Sequence, residues 1–112
     1  MPRSGAAQLK SSAAVFAALG DETRLSLLAK LVEGEPRSIA RLTEGTHLTR
    51  QAVTKHLKVL EGVGVVRAVR VGRESQFALE PAPLDAVRDY LDRVSRDWDH
   101  ALARLKLLVE NA

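Results

Sequence analysis

Residues 49–60 read Thr-Arg-Gln-Ala-Val-Thr-Lys-His-Leu-Lys-Val-Leu and predict a short amphipathic helix with one strongly polar face. Thr49 is the expected N-cap, because a threonine hydroxyl can accept a hydrogen bond from a backbone N–H group of the first helical turn. The positions i, i+3, i+4 and i+7, which form the buried stripe of a helix, are occupied by Val53, His56, Leu57 and Leu60.

The opposite face of this helix is basic and polar, and no acidic residue occurs before Glu61. Arginine can bind guanine with two hydrogen bonds and glutamine can bind adenine in the same way, so Arg50 and Gln51 suit base edges. Lys55 and Lys58 suit phosphates, as charges on long flexible stems. We therefore interpret residues 49–61 as a DNA-recognition helix. The alternative, an ordinary surface helix with a basic face, is not excluded by the helix alone.

The composition fits one small domain, residues 1–112, since domains typically contain ~100–150 residues. Hydrophobic residues make up 46% of the chain and aromatic residues only 4%, and a small core of this kind often needs an oligomeric partner. No apolar run approaches the ~18–20 residues of a membrane span, and no secretory signal is visible. The absence of cysteine excludes disulfides and thiolate metal sites. We expect a soluble cytoplasmic protein.

Positive charge is concentrated around the proposed recognition helix. Residues 37–76 contain eight Lys and Arg against three Asp and Glu, a surplus of five, whereas residues 77–112 contain five against seven. The net charge of the whole chain is +3. A basic segment that coincides with a candidate recognition helix is the electrostatic pattern of a nucleic-acid-binding protein.

Two helices are predicted before the central region. Residues 1–10 are expected to form a flexible tail, and a first helix should begin at Ser11 or Ser12 and end at Gly20. Asp21 should cap a second helix that ends at Gly34. Arg24 lies in the first turn of that helix, where a cation is unfavourable to the helix dipole, so we expect it to pair with an acid, Asp21 or Glu22.

A third helix and a turn precede residues 49–61. Ser38 should cap this short helix, and residues 45–48 form the turn into the recognition helix. Two short helices joined in this way, the second of them basic, describe a helix-turn-helix.

A β-hairpin follows the recognition helix. Residues 65–71 are rich in β-branched side chains, residues 72–73 form a turn, and residues 75–79 return as a second strand. This hairpin would form a wing with Arg70 and Arg73 near its tip, where they can reach phosphates or the minor groove. A hairpin that only closes the core is the alternative. The predicted DNA-contacting residues are Ser38, Thr49, Arg50, Gln51, Thr54, Lys55, Lys58, Arg70 and Arg73.

The last helix, residues 84–110, repeats apolar side chains every seven residues in two series, as in the seam of a coiled coil. Such a helix can project from a small domain, and we expect a homodimer formed by this helix, with the first helix packed against it; purely intramolecular packing is the alternative. The predicted fold is mainly α with a small β-hairpin: a winged helix-turn-helix with a long C-terminal dimerisation helix. The predicted dimer interface contains Phe16, Leu84, Val87, Leu91, Val94, Trp98, Ala101, Leu105 and Leu108.

Residues 16–79 closely resemble the ArsR/SmtB family of bacterial winged-helix regulators. The resemblance rests on Leu-Gly-Asp-x-Thr-Arg-Leu at residues 19–25 together with Ala-Val-x-x-His-Leu-x-x-Leu at residues 52–60. It implies a symmetric dimer that binds double-stranded DNA at palindromic operators and is released by an effector, whose identity the residues do not reveal. Repression by steric occlusion is the simpler mechanism for so small a protein.

The chain departs from the metal-sensing members of that family. Ser38, Ile39 and Ala40 stand where a Cys-x-Cys metal site would lie, and the last helix offers one histidine, His100, near Asp97, Asp99 and Glu110. Zinc prefers histidine and cysteine ligands, so we expect no metal site and no cofactor. A metal-responsive repressor with a site around His100 is the alternative.

Other functions have less support in the residues. His56 is expected to be packed in the core and bonded to backbone, because it lies on the apolar stripe. No cysteine nucleophile, glycine-rich phosphate loop or constellation of acids and histidines indicates an enzyme. A winged helix used only for protein contacts would not need the concentrated Lys and Arg, and DNA affinity that falls steeply with salt would distinguish the two.

Overall fold

The computed structural model describes residues 5–111, and the side chains of residues 7–111, as a helical protein with one small sheet. The helices are α1 (Gly5–Leu19), α2 (Glu22–Leu31), α3 (Ile39–Thr43), α4 (Arg50–Gly62) and α5 (Pro81–Glu110). The strands are β1 (Arg37–Ser38), β2 (Val66–Val71) and β3 (Glu74–Leu79). The predicted winged helix-turn-helix with a long C-terminal helix is confirmed.

The sheet has three antiparallel strands in the order β1-β3-β2. The predicted hairpin is present as β2 and β3, with Val66 opposite Leu79 and Val71 opposite Glu74. The additional strand β1 pairs Arg37 with Phe77 and Ser38 with Gln76. It was not predicted, because two residues are too few to show the alternation that identifies a strand. The extra pairing fixes the start of α3 beside the wing.

The core joins the helices to the base of the wing. Leu57 on α4, Leu31 on α2 and Val66 on β2 are almost completely buried in it. The predicted inner stripe of α4 is confirmed for Val53, Leu57 and Leu60, each 0% exposed. Since this stripe holds α4 by one face, the basic face opposite to it must lie at the surface.

The first helix starts earlier than predicted. α1 begins at Gly5, not at Ser11 or Ser12, so residues 5–10 are helical and do not belong to a tail; residues 1–4 lie outside the described residues. Alanine is the best helix former, and the alanine-rich sequence of α1 continues the helix through both serines. Ser12 is buried inside the helix and does not cap it.

The last helix begins at Pro81, three residues before the predicted start, and ends at Glu110 as expected. Proline is well tolerated in the first turn, where its missing N–H would have no helical partner. The helix contains 30 residues, about 45 Å at ~1.5 Å per residue, and the molecule extends over 68 × 38 × 21 Å. No helix of the described residues, α5 included, contains a segment apolar enough to cross a membrane.

Candidate nucleic-acid interface

The start of the recognition helix α4 is fixed by two side chains. The Thr49 hydroxyl oxygen accepts a hydrogen bond from the Ala52 backbone N–H at 3.1 Å, which confirms the predicted N-cap. One turn later, the Thr54 hydroxyl donates to the Arg50 carbonyl at 2.7 Å. Arg50 and Gln51 are exposed in the first turn, so α4 presents them to solvent from a defined helix end.

An open groove of about 650 Å³ lies between the start of α3, the first half of α4 and the tip of the wing. It brings together six of the nine residues predicted to contact DNA. They are Ser38, Arg50, Gln51, Thr54, Lys55 and Arg73. Ile39, Ala40, Glu74 and Ser75 complete its walls; these four were not predicted, because the pairing of β1 with β3 that places them there leaves no signal in the sequence.

The groove is electropositive. Arg50, Lys55 and Arg73 are exposed, and none of them forms an ion pair within residues 5–111. Glu74 is the one carboxylate among the residues that line it. Three cations that have no ion-pair partner among the described residues lie on one concave surface, and they favour an anionic ligand such as a phosphate backbone.

The remaining predicted contacts lie outside the groove but near it. Lys58 follows Lys55 by one helical turn and its side chain is 65% exposed, in an ion pair with Glu61 at 3.4 Å. Exposed pairs of this kind contribute only ~0.2–1 kcal/mol, so Lys58 can exchange Glu61 for a phosphate. Arg70 lies opposite Ser75 in the hairpin and therefore shares a face with it. Both cations extend the electropositive surface.

Two roles were predicted for Ser38, the cap of α3 and a contact to DNA. Its side-chain oxygen accepts from the Arg41 backbone N–H at 3.1 Å, which confirms it as the N-cap of α3. Ser38 is only 6% exposed, so its hydroxyl has little surface left for DNA, and a direct contact with DNA stays a prediction. At the other end of α3, Lys30 donates to the carbonyls of Leu42 and Glu44 at 3.0 and 3.2 Å, which fixes both ends of the helix.

Behind the recognition helix, three helices meet at Arg24. Its guanidinium donates to the carbonyls of Ala17 and Ala18 in the last turn of α1. Among residues 5–111 it forms no ion pair with Asp21 or Glu22, contrary to the prediction, although its charge acts on Asp21. The same guanidinium places Nη1 3.4 Å from Nδ1 of His56. His56 is therefore half-buried and bonded to a side chain, not to backbone as predicted.

Asp21 caps α2 at this junction. Its carboxylate accepts from the Arg24 backbone N–H at 2.9 Å and lies 3.9 Å from His56 Nδ1. That backbone hydrogen bond holds the pKa of Asp21 below its ordinary value, and the charge of Arg24 acts in the same direction while burial opposes them. Asp21 is therefore charged at neutral pH and favours the helix N-terminus.

The apolar stripe of α5 is divided between the core and the surface. Val87 is 5% exposed and packs in the core of its own chain, which leaves little of it for a partner, and its role as a dimer contact stays a prediction. Leu84 also packs against this core. Phe16 meets Tyr90 of α5 edge to face, with ring centroids 6.1 Å apart. These positions are covered because α1 lies against the first turns of α5.

Beyond those turns the stripe is open. Trp98 is 64% exposed, and Leu91, Leu105 and Leu108 are exposed by half or more. Val94 and Ala101, between them on the same face, are half-buried. Leu102, Leu107 and Val109 are further exposed apolar residues of this helix. An apolar surface of this length is typical of a protein–protein contact.

The predicted alternative metal site was centred on His100. Asp97, Asp99 and His100 are all exposed on α5. Among residues 5–111, no group of three or more His, Cys, Asp or Glu side chains is placed to hold a metal ion.

Comparison with known proteins agrees with this geometry. Residues 19–69 match the family model described as a helix-turn-helix domain. The HTH-type transcriptional regulator Rv2034 of Mycobacterium tuberculosis is 33% identical over 94 residues, which cover 84% of each chain. An ArsR-like transcriptional regulator from Rhodococcus sp. RHA1 superposes with a TM-score of 0.77 at 38% identity, covering 89% of this chain and 93% of the other.

A third similar protein is the homodimeric winged helix-turn-helix DNA-binding domain Mb0332 from Mycobacterium bovis. It superposes with a TM-score of 0.64 at 28% identity, covering 85% of this chain and 88% of that fragment. Sequence and structure therefore agree that the chain belongs to the ArsR/SmtB family of winged helix-turn-helix transcriptional regulators.

Proposed function

We propose that the chain is a homodimeric repressor that recognises a palindromic operator through residues 49–61 of each protomer and through the wing, residues 65–79. The observation that carries this proposal is the electropositive groove. It places the start of α4 and the wing tip on one surface, with three cations that have no protein ion-pair partner in the described part of the chain.

On the groove and the electropositive surface around it, we assign base contacts and phosphate contacts to different residues. Arg50 and Gln51 lie at the N-terminal end of the recognition helix, where side chains of a helix-turn-helix reach base edges, and Thr54 follows one turn later on the same face. Lys55 and Lys58 continue along α4 away from this end. We assign them to the DNA backbone, together with Arg70 and Arg73 of the wing.

The exposed stripe of α5 supports the dimer. Trp98 and Leu108 are 64% and 71% exposed, and a second copy of α5 would cover them through the same heptad positions. A two-fold symmetric dimer presents two recognition helices to successive major grooves, so its half-sites should lie ~34–36 Å apart or at a multiple of that distance. The homodimeric state of Mb0332 agrees with this arrangement.

Repression by occupancy is the mechanism that this architecture supports best. The described residues divide among the core, the groove and the α5 stripe, and none of the described elements forms a separate domain for recruiting polymerase. A dimer bound across a promoter excludes polymerase without any further contact. An effector would act by changing the distance between the two recognition helices.

Selection from a random duplex library tests the proposal without knowledge of the operator. The purified protein should enrich a motif made of two inverted half-sites whose centres are about one helical turn, or a multiple, apart. Binding that enriches no motif would contradict sequence-specific recognition. Failure to bind duplex DNA even at low salt would instead favour a winged helix that contacts only proteins.

A further inference from the structure

Arg24 connects the helix that lies against α5 to the recognition helix. Its guanidinium donates to Ala17 and Ala18 at the end of α1 and approaches Nδ1 of His56 in the middle of α4. α1 in turn packs on α5 through Phe16 and Tyr90. A continuous series of contacts therefore runs from the proposed dimer helix to the DNA-facing helix.

The hydrogen bonds of Arg24 at this junction depend on angle as well as on distance. The last carbonyls of a helix have no partner within the helix, and a guanidinium there satisfies them and offsets the helix dipole. A guanidinium has only donors, so this hydrogen bond requires the neutral tautomer of His56 in which Nδ1 carries no proton and accepts. Apolar contacts such as those of Leu57 are not directional, whereas a hydrogen bond weakens steeply when its angle changes. The Arg24–His56 contact therefore restrains rotation of α4 in a way that the apolar stripe does not.

We propose that Arg24 is a positioning residue, which acts through His56 to set the orientation of the recognition helix relative to the dimer helix. The inference rests on the proposed function. Side chains reach ~5–6 Å from a helix axis, so a rotation of α4 by ~10° displaces its DNA-facing atoms by ~1 Å. Base contacts require donor–acceptor distances of ~2.7–3.2 Å, and a displacement of that size disrupts them. Phosphate contacts of flexible lysines tolerate it.

Four variants test this assignment. Arg24→Gln removes the guanidinium, and His56→Leu removes the acceptor while leaving Arg24 free to cap α1. His56→Gln restores an acceptor, and Lys10→Gln removes one exposed positive charge of α1 as a matched control. Each is titrated against the duplex that the wild type selects and against a scrambled duplex of equal composition. Selected duplexes with one base pair inserted or deleted between the half-sites complete the set.

Arg24→Gln and His56→Leu should lower the ratio of selected to scrambled affinity by about tenfold or more, the effect of mispairing about one base contact, and should flatten the preference for half-site spacing. Scrambled affinity should stay within roughly twofold, since phosphate contacts dominate it. His56→Gln should retain most of the wild-type ratio of selected to scrambled affinity, and Lys10→Gln should leave that ratio unchanged.

A merely structural role would lower thermal stability but leave the affinity ratio and the spacing preference of the folded protein unchanged, and this result in His56→Leu would overturn the assignment. If Arg24→Gln fails to fold, His56→Leu decides, because it retains the cap of α1. Absence of any sequence preference in the wild type would overturn the proposed function as well, so the two failures are distinguishable.

Discussion

Replacing Trp98 by alanine should break the dimer while leaving the fold of each chain intact. Trp98 is 64% exposed in the single chain, which corresponds to ~160 Å² if tryptophan offers ~250 Å². Covering that area by a partner helix is worth ~4 kcal/mol at ~25 cal/mol per Å². Truncation to alanine should remove ~3 kcal/mol of dimerisation free energy per copy, because alanine retains part of the contact. This agrees with the ~3–5 kcal/mol typical of Trp→Ala.

The proposed dimer contains two copies of Trp98, so the substitution acts twice. Ordering of side chains at the interface offsets part of the free energy that covering them contributes. A net loss of ~3 kcal/mol should therefore weaken dimerisation at least about a hundredfold. Sedimentation velocity over a concentration series measures this directly. The chain has one tryptophan, so its fluorescence emission should shift to the blue as wild-type protein dimerises.

Leu107→Ala is the matched control. Leu107 is 58% exposed on the same helix but lies off the heptad seam, so its truncation should change the dissociation constant only a few-fold. Circular dichroism should show unchanged helix content in both variants. A wild-type protein that sediments as a monomer at tens of micromolar, or a Trp98→Ala variant that dimerises as tightly as wild type, would refute a dimer held by the α5 stripe.

Three further predictions concern the groove, metals and pH. Gln51→Ala should cost ~1–3 kcal/mol toward the selected operator only, whereas Arg73→Ala should weaken operator and scrambled DNA alike and lower the salt slope by about one unit per lost phosphate contact; the reverse pattern would show that the wing reads sequence. Operator affinity should change no more than a few-fold with zinc or a chelator, and a large reversible loss on adding zinc that His100→Ala abolishes would contradict this. Asn keeps the cap of α2 but not the charge, so Asp21→Asn should lower the melting temperature at neutral pH. The pKa of Asp21 is lower in the folded than in the unfolded chain. Its charge therefore stabilises the fold at pH values above the pKa of the unfolded chain, and this stabilisation disappears as pH falls through the pKa of the folded chain. The gap between variant and wild type should therefore close below about pH 4, and a gap that persists there would be contrary to this account.

Elements for which two independent signals agree could be predicted from the sequence. For α4, the capping residue Thr49 and the apolar period ending at Leu60 indicate the same helix, and the structure places it within two residues of the prediction. The hairpin is likewise marked by β-branched residues around a glycine turn. Because these signals are local, they do not depend on what the rest of the chain does.

Features created by contacts distant in sequence could not be predicted. Arg24 and His56 are 32 residues apart, and nothing around Arg24 indicates that its guanidinium donates to the carbonyls of α1. Ser38 has the composition of a surface cap, yet the pairing of β1 with β3 buries it. Val87 fits the heptad seam, but the packing of α1 across α5 assigns it to the core.

We propose that the electropositive groove of this family member reads DNA sequence as well as DNA charge. A salt titration of wild-type binding to the selected duplex and to its scrambled counterpart tests it most directly. We expect affinity for both duplexes to fall steeply with salt, and the selected duplex to remain at least ~10³-fold preferred. Equal affinity for the two duplexes at every salt concentration would contradict the claim.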